Sequence, residues 1–79
     1  MNTKLSVEET LQLAEKVRAE IFFRQIKQAD LIQPLADRGV STAVSVISRA
    51  INGKGFEPRY QRVLIAINDL LEGGFMNGQ

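Results

Sequence analysis

A tight turn, a short helix and a hard stop are written into residues 39–54, GVSTAVSVISRAINGK, and no other segment constrains the fold of this chain as much. Gly39 can adopt positive φ, Ser41 or Thr42 can cap the helix that follows, and Asn52-Gly53 can end it with a left-handed residue. Between cap and stop, Val44, Ile47 and Ile51 recur at i, i+3 and i+7, the spacing of a face turned to a core. The other face carries Thr42, Ser45, Ser48 and Arg49: short hydrogen-bonding side chains and one guanidinium, with little bulk to hold the helix out of a groove.

The remaining residues repeat the helical grammar. Ser6-Val7-Glu8-Glu9 is a capping box, and Leu11, Ala14, Val17 and Ile21 continue it as an apolar stripe to about Arg24. Phe22, Phe23 and Ile26 broaden the apolar end of that helix; they either plug the small core or, for the phenylalanines, form part of a dimer surface. Gln28 to Arg38 carries Leu31, Ile32, Leu35 and Ala36 at helical spacing, with Pro34 requiring the helix either to start near Gln33 or to kink there. After the loop Asn52-Gly53-Lys54-Gly55-Phe56-Glu57, Pro58 suits the first turn of a last helix whose apolar face is Tyr60, Val63, Leu64, Ile67, Leu70 and Leu71. Helices are thus expected over 6–24, 28–38, 42–52 and 58–71, with a tail at 72–79, in a single all-α domain spanning 1–79.

A chain of 79 residues buries only about 60–65% of its unfolded surface, so its stability leans on helix packing and a partner chain is a reasonable expectation. It has no cysteine and no histidine, which removes disulfides, the usual zinc ligands, thiol nucleophiles and the commonest general base. An enzyme is not expected. Asp30, Asp37 and Glu57 make no catalytic pairing, no glycine-rich phosphate cradle is present, and neither a cofactor nor a small-molecule ligand is indicated. No run reaches the roughly 18–20 apolar residues that cross a bilayer, and residues 1–6 lack the apolar stretch of a signal peptide. A cytoplasmic protein with no membrane partner is expected.

The formal net charge of +1 says little, but its distribution says more. Residues 1–37 hold five basic side chains against six acidic ones, whereas residues 38–62 hold Arg38, Arg49, Lys54, Arg59 and Arg62 against Glu57 alone. Positive charge therefore gathers around the Gly39–Lys54 segment and the loop after it, where phosphates would lie if the short helix entered a groove.

With its neighbours, this segment resembles the helix-turn-helix of the lambda-repressor-like superfamily, in both its Cro and phage-repressor branch and its lac-repressor branch. Gln28-Ala29-Asp30-Leu31 is similar to the start of the first motif helix, and Ile47-Ser48-Arg49-Ala50-Ile51-Asn52-Gly53-Lys54 to the end of the second. Gly55-Phe56-Glu57-Pro58 with Arg62-Val63-Leu64 and Ala66-Ile67 resembles the loop and fourth helix of lac-repressor-type headpieces. The spacing departs from the family by about five extra residues between Leu31 and Gly53. If Ile47 sets the register, Val44 and Ser45 take the groove-facing positions; if Val40-Ser41 sets it, Thr42 and Ala43 do.

The resemblance implies a small four- to five-helix lambda-repressor-like domain that binds double-stranded DNA as a homodimer and regulates transcription, in the manner of a phage or mobile-element repressor. Candidate DNA contacts are Gln28, Ser41, Thr42, Ala43, Ser45, Ser48, Arg49, Asn52, Lys54 and Arg59. Arg49 is the one side chain on the short helix able to make a bidentate contact to guanine, and it also suits a phosphate or an acidic neighbour. Lys27 and Gln28 can donate to a phosphate, and Lys54 is expected to do so from a loop that Phe56 anchors by folding back. The rival reading is a helical protein–protein interaction module, such as an antitoxin or inhibitor subunit. Phe75 and Met76 in the tail suit packing on a partner subunit.

Overall fold

The computed structural model describes residues 5–73. Four α-helices and one 3₁₀ turn follow one another: α1 (Val7–Arg24), the 3₁₀ turn (Gln28–Leu31), α2 (Ile32–Asp37), α3 (Val44–Ile51) and α4 (Pro58–Glu72). The described residues are all-helical and contain no strand. None of their helices is long and apolar enough to cross a membrane.

The helix ends follow from local chemistry. Ser6 caps α1 reciprocally with Glu9: the Glu9 N–H donates to Ser6 Oγ at 3.1 Å and the Ser6 N–H to Glu9 Oε1 at 3.0 Å. Pro58 opens α4, where a missing N–H costs no intrahelical bond. Pro34 is handled the same way. The expected second helix divides into the 3₁₀ turn and α2, and Pro34 becomes the third residue of α2, within the first turn, so no kink is needed.

Three helices stop by one device. Gly39 (φ 83°) and Gly53 (φ 69°) are left-handed, and so is Gln25 (φ 57°). After each, the next N–H reaches back five residues: Ile26 to Ile21 O at 3.0 Å, Val40 to Leu35 O at 2.8 Å, Lys54 to Arg49 O at 3.1 Å. These are Schellman ends, which satisfy carbonyls that the helix leaves orphaned. Glycine provides the left-handed residue twice; at Gln25 a side chain bears the strain.

α4 is the hub, since α1, α2 and α3 all pack against it. Its predicted face is buried throughout, from Tyr60 and Val63 to Leu70 and Leu71. Leu31, Leu35, Ile47 and Ile67 are fully buried, each worth about 1.5–3 kcal/mol of apolar burial. The α1 stripe is one residue off expectation. Ala14, Val17 and Ile21 are buried, but Leu11 is 46% exposed and Thr10 takes the inward position. Thr10 can be buried because its hydroxyl donates to Ser6 O at 2.8 Å and accepts from Gln61 Nε2 at 3.1 Å.

The phenylalanines at the end of α1 do not plug the core. Ile26 is buried, but Phe22 and Phe23 are 86% and 84% exposed. Helix phase explains this: Ile21 continues the inward stripe of Ala14 and Val17, so Phe22 and Phe23, about 100° and 200° further round, face out, and the Schellman turn brings Ile26 back onto the core instead. Phe75 and Met76 lie outside the described residues.

Candidate nucleic-acid interface

Helix α3 runs from Val44 to Ile51, starting two residues later than expected. Ala43 stands at the N-cap and makes no side-chain cap bond, so neither Ser41 nor Thr42 caps the helix. Thr42 Oγ1 reaches only the Ala43 carbonyl, at 3.5 Å. Six residues, Arg38 to Ala43, join α2 to α3, more than the three or four of a compact helix-turn-helix turn. Thr42 and Ala43 therefore precede the helix, while Val44 and Ser45 form its first turn.

The core side of α3 is Ile47, Ala50 and Ile51. Val44 was expected there and is instead 41% exposed, because the late start moves it to the open end of the first turn. The outer side carries Ser45 and Arg49, both exposed, with Ser48 half-buried. These residues join Asn52 and Lys54 around one shallow depression that holds no acidic side chain. Asn52 Nδ2 donates to Ser48 Oγ at 3.3 Å, which holds two of its polar groups side by side. Five of the ten candidate residues thus share one surface.

The other five flank it. Val46 and Asn52 point about 120° apart around α3, and each borders a further hollow. On the Val46 side are Ser41, Thr42, Arg59 and Arg62, again without an acid. On the Asn52 side is Gln28, with Arg18, Gln25 and the two phenylalanines. Ala43 is exposed at the start of α3. Arg62 was not among the candidates, although its place three residues after Arg59 put both on one side of α4.

The cations fall into two classes. Those of α1 are used inside the fold: Arg18 donates to Ile51 O at 2.7 Å, Arg24 to Leu71 O at 3.3 Å, and Lys16 pairs with Glu72 at 2.7 Å. Two of them thereby satisfy carbonyls at the negative ends of α3 and α4. Arg24 also pairs with Glu20 at 3.0 Å. By contrast Arg49, Lys54 and Arg62 have no ion pair among the described residues. Arg59 is intermediate. It pairs with Glu57 at 3.4 Å, donates to the Tyr60 hydroxyl at 2.8 Å and lies 4.7 Å from the centroid of the Tyr60 ring. Arg38 belongs elsewhere, its guanidinium lying beside Gly73 at the end of α4.

The loop after α3 owes its two glycines to the protein itself. A Cβ on Gly53 would come within 2.9 Å of Leu11 Cδ2, and one on Gly55 would overlap the Tyr60 ring. Lys54, held between these two close approaches, is exposed. Phe56 is 39% exposed and so folds back only in part. Neither a known protein family, nor a curated protein, nor a solved structure matches the chain.

Proposed function

We propose that this protein binds double-stranded DNA sequence-specifically and regulates transcription, as a homodimer that presents α3 to the major groove. One observation carries the reading: Ser45, Ser48, Arg49, Asn52 and Lys54 share an acid-free surface on which both cations lack a carboxylate partner among the described residues. Unpaired basic charge beside small hydrogen-bonding side chains is what a groove-reading surface requires, since phosphates position the protein and base edges select the site.

In this reading Val44 and Ser45 lead α3 into the groove, with Ser48 and Arg49 one turn later. Arg49 contacts a guanine edge or the adjoining phosphate. Gln28 on one flank, and Ser41, Thr42, Arg59 and Arg62 on the other, grip the two backbones that bound the groove. Ala43 offers a methyl group and uncapped amides follow it at the start of α3. The described residues span 34 × 24 × 24 Å, so two touching copies can present α3 at a spacing near one DNA turn, about 34 Å. Bound across a promoter, such a dimer excludes polymerase and acts as a small repressor of the phage or mobile-element type, working in the cytoplasm.

The rival, a helical module that binds another protein as an antitoxin or inhibitor subunit does, draws on exposed Phe22 and Phe23, which share one hollow with Gln28 and Asn52 at the flank of the α3 surface. Binding to the DNA upstream of its own coding sequence, set against scrambled DNA of equal length over a range of salt concentrations, decides between them. Tight, sequence-preferring binding with a steep salt slope supports the DNA reading; weak binding indifferent to sequence sinks it.

A further inference from the structure

The last turn of α1 presents Phe22 and Phe23 to solvent at 86% and 84% of their full exposure, the most exposed large apolar side chains among the described residues. Beside them lies a hollow whose apolar wall is Ile21, Ile26 and Ile51, with Phe22 and Phe23 on its rim; Gln28 and Asn52 stand at its polar edge, so a seated ring takes the isoleucine side and leaves that edge to DNA. One face therefore holds both aromatic knobs and an apolar hollow to receive them. This self-complementarity is what an isologous two-fold contact demands, because each copy must offer both halves of the fit.

We propose that this face is the homodimer interface, its occupant a second copy of the same chain whose Phe22 and Phe23 seat in the hollow. Charge favours a copy of itself over a charged partner. Glu15 and Arg18 border the rings, and the Glu20–Arg24 ion pair lies within one turn of them on α1; Arg18 also donates to Ile51 O within the subunit. The rim is close to neutral, so two identical faces approach without the like-charge repulsion that the Arg49–Lys54 surface would impose.

Area agrees. Each ring offers roughly 150–200 Å², so covering four of them buries roughly 600–800 Å², about half or more of the ~1,200 Å² at which specific interfaces begin. The hollow and its rim provide the remainder. The contact deepens the homodimer reading by naming its surface, and it does not need DNA to form.

The experiment is sedimentation equilibrium of the full chain without DNA, from micromolar to millimolar concentration, alongside Phe22→Glu/Phe23→Glu, the single variants Phe22→Ala and Phe23→Ala, and Val7→Ser as an exposed apolar control on the opposite end of α1. Circular dichroism verifies that each variant retains its helicity. The wild-type chain and Val7→Ser should dimerise alike, each alanine variant should weaken the dimer about thirtyfold or more, and the double variant should be monomeric. A wild-type chain that stays monomeric throughout overturns the proposal, as does a dimer that survives the double substitution. A dimer that obeys these expectations yet ignores DNA leaves the interface standing and removes only the DNA reading.

Discussion

The side-chain amide of Gln61 donates to the hydroxyl of Thr10 at 3.1 Å across the α1–α4 contact, and both residues are buried. Gln61 also pairs with both backbone polar groups of Leu5, its Nε2 donating to the carbonyl at 3.1 Å and its Oε1 accepting from the N–H at 3.1 Å. One amide thus closes the start of the described chain onto the hub helix, and among the described residues no buried side-chain polar atom is unpaired. Gln61→Ala strands the Thr10 and Leu5 groups, at about 1–3 kcal/mol for a buried group left unsatisfied. In a domain of this size each kcal/mol lowers Tm by about 4–8 °C. Thermal melts should show that loss for Gln61→Ala, whereas Gln12→Ala on the exposed side of α1 should stay within about 0.5 kcal/mol. Equal, small effects would mean that water replaces the amide without cost.

Gln25 performs at the end of α1 what Gly39 and Gly53 perform after α2 and α3, but with a Cβ at φ 57°. A left-handed residue other than glycine costs about 1–2 kcal/mol, part of which glycine returns through its freer unfolded chain. Gln25→Gly should raise the urea midpoint by an amount worth about 0.5–1 kcal/mol. Gly53→Ala should do the reverse and more, since the added Cβ meets Leu11 Cδ2 at 2.9 Å as well as the strained φ. Adding Leu11→Ala to Gly53→Ala relieves the contact but not the backbone, so it should recover only part of the loss. A full recovery would remove backbone strain from the account.

These two sites mark what was legible in the sequence. Features fixed by neighbours in the chain were readable: the Ser6–Glu9 capping box, Pro58 at the head of α4, the glycine stops and the whole apolar face of α4. Features fixed across the fold were not. Thr10 displaced Leu11 because a partner on α4 made its hydroxyl satisfiable, a pairing 51 positions apart. Phe22 and Phe23 surfaced because Ile21 sets the inward phase of the last turn of α1 and the left-handed Gln25 returns Ile26, not a ring, to the core, a conformation that glutamine does not advertise. Within the candidate site, Ser45, Ser48, Arg49, Asn52 and Lys54 fell together because they ride one helix and its stop. Thr42 and Ala43 fell outside α3 because the connection from α2 is longer than the resemblance implied.

The Lys16–Glu72 pair gives the fold an acid-sensitive contact. The hydrogen bond from Lys16, reinforced by its charge, holds the Glu72 carboxyl below its ordinary value of 4.5 against a lesser opposing effect of desolvation, with the smallest contribution from Asn68. A carboxylate whose pKa is lower folded than unfolded stabilises the fold above its unfolded pKa and loses that contribution as pH falls through the folded one. The contact should therefore be at full strength near neutrality and fade below about 4.5. Both side chains are more than half exposed, so salt screens it and the effect is small. Melts of the wild type and Glu72→Gln should differ above that pH and converge below it. Curves that stay parallel throughout would show that the pair does not couple to folding.

The two classes of cation make the DNA reading testable by salt dependence. Arg49 and Lys54 have no carboxylate partner among the described residues, and they flank the polar groups of α3. Arg24 and Lys16 are held by Glu20, Leu71 O and Glu72. A cation that neutralises a phosphate on binding releases a counterion, so its removal should reduce the slope of log affinity against log salt by about one unit. Lys54→Ala should show that reduction with a uniform loss across DNA sequences, because a loop lysine grips the backbone. Arg49→Ala should cost about 1–3 kcal/mol and, where it reads a guanine edge, relax the preference at one base position. Arg24→Ala and Lys16→Ala should leave the slope alone and lower the melting temperature instead. If all four variants shift the slope equally, the binding is a diffuse attraction to the whole surface, and α3 has no special claim to the groove.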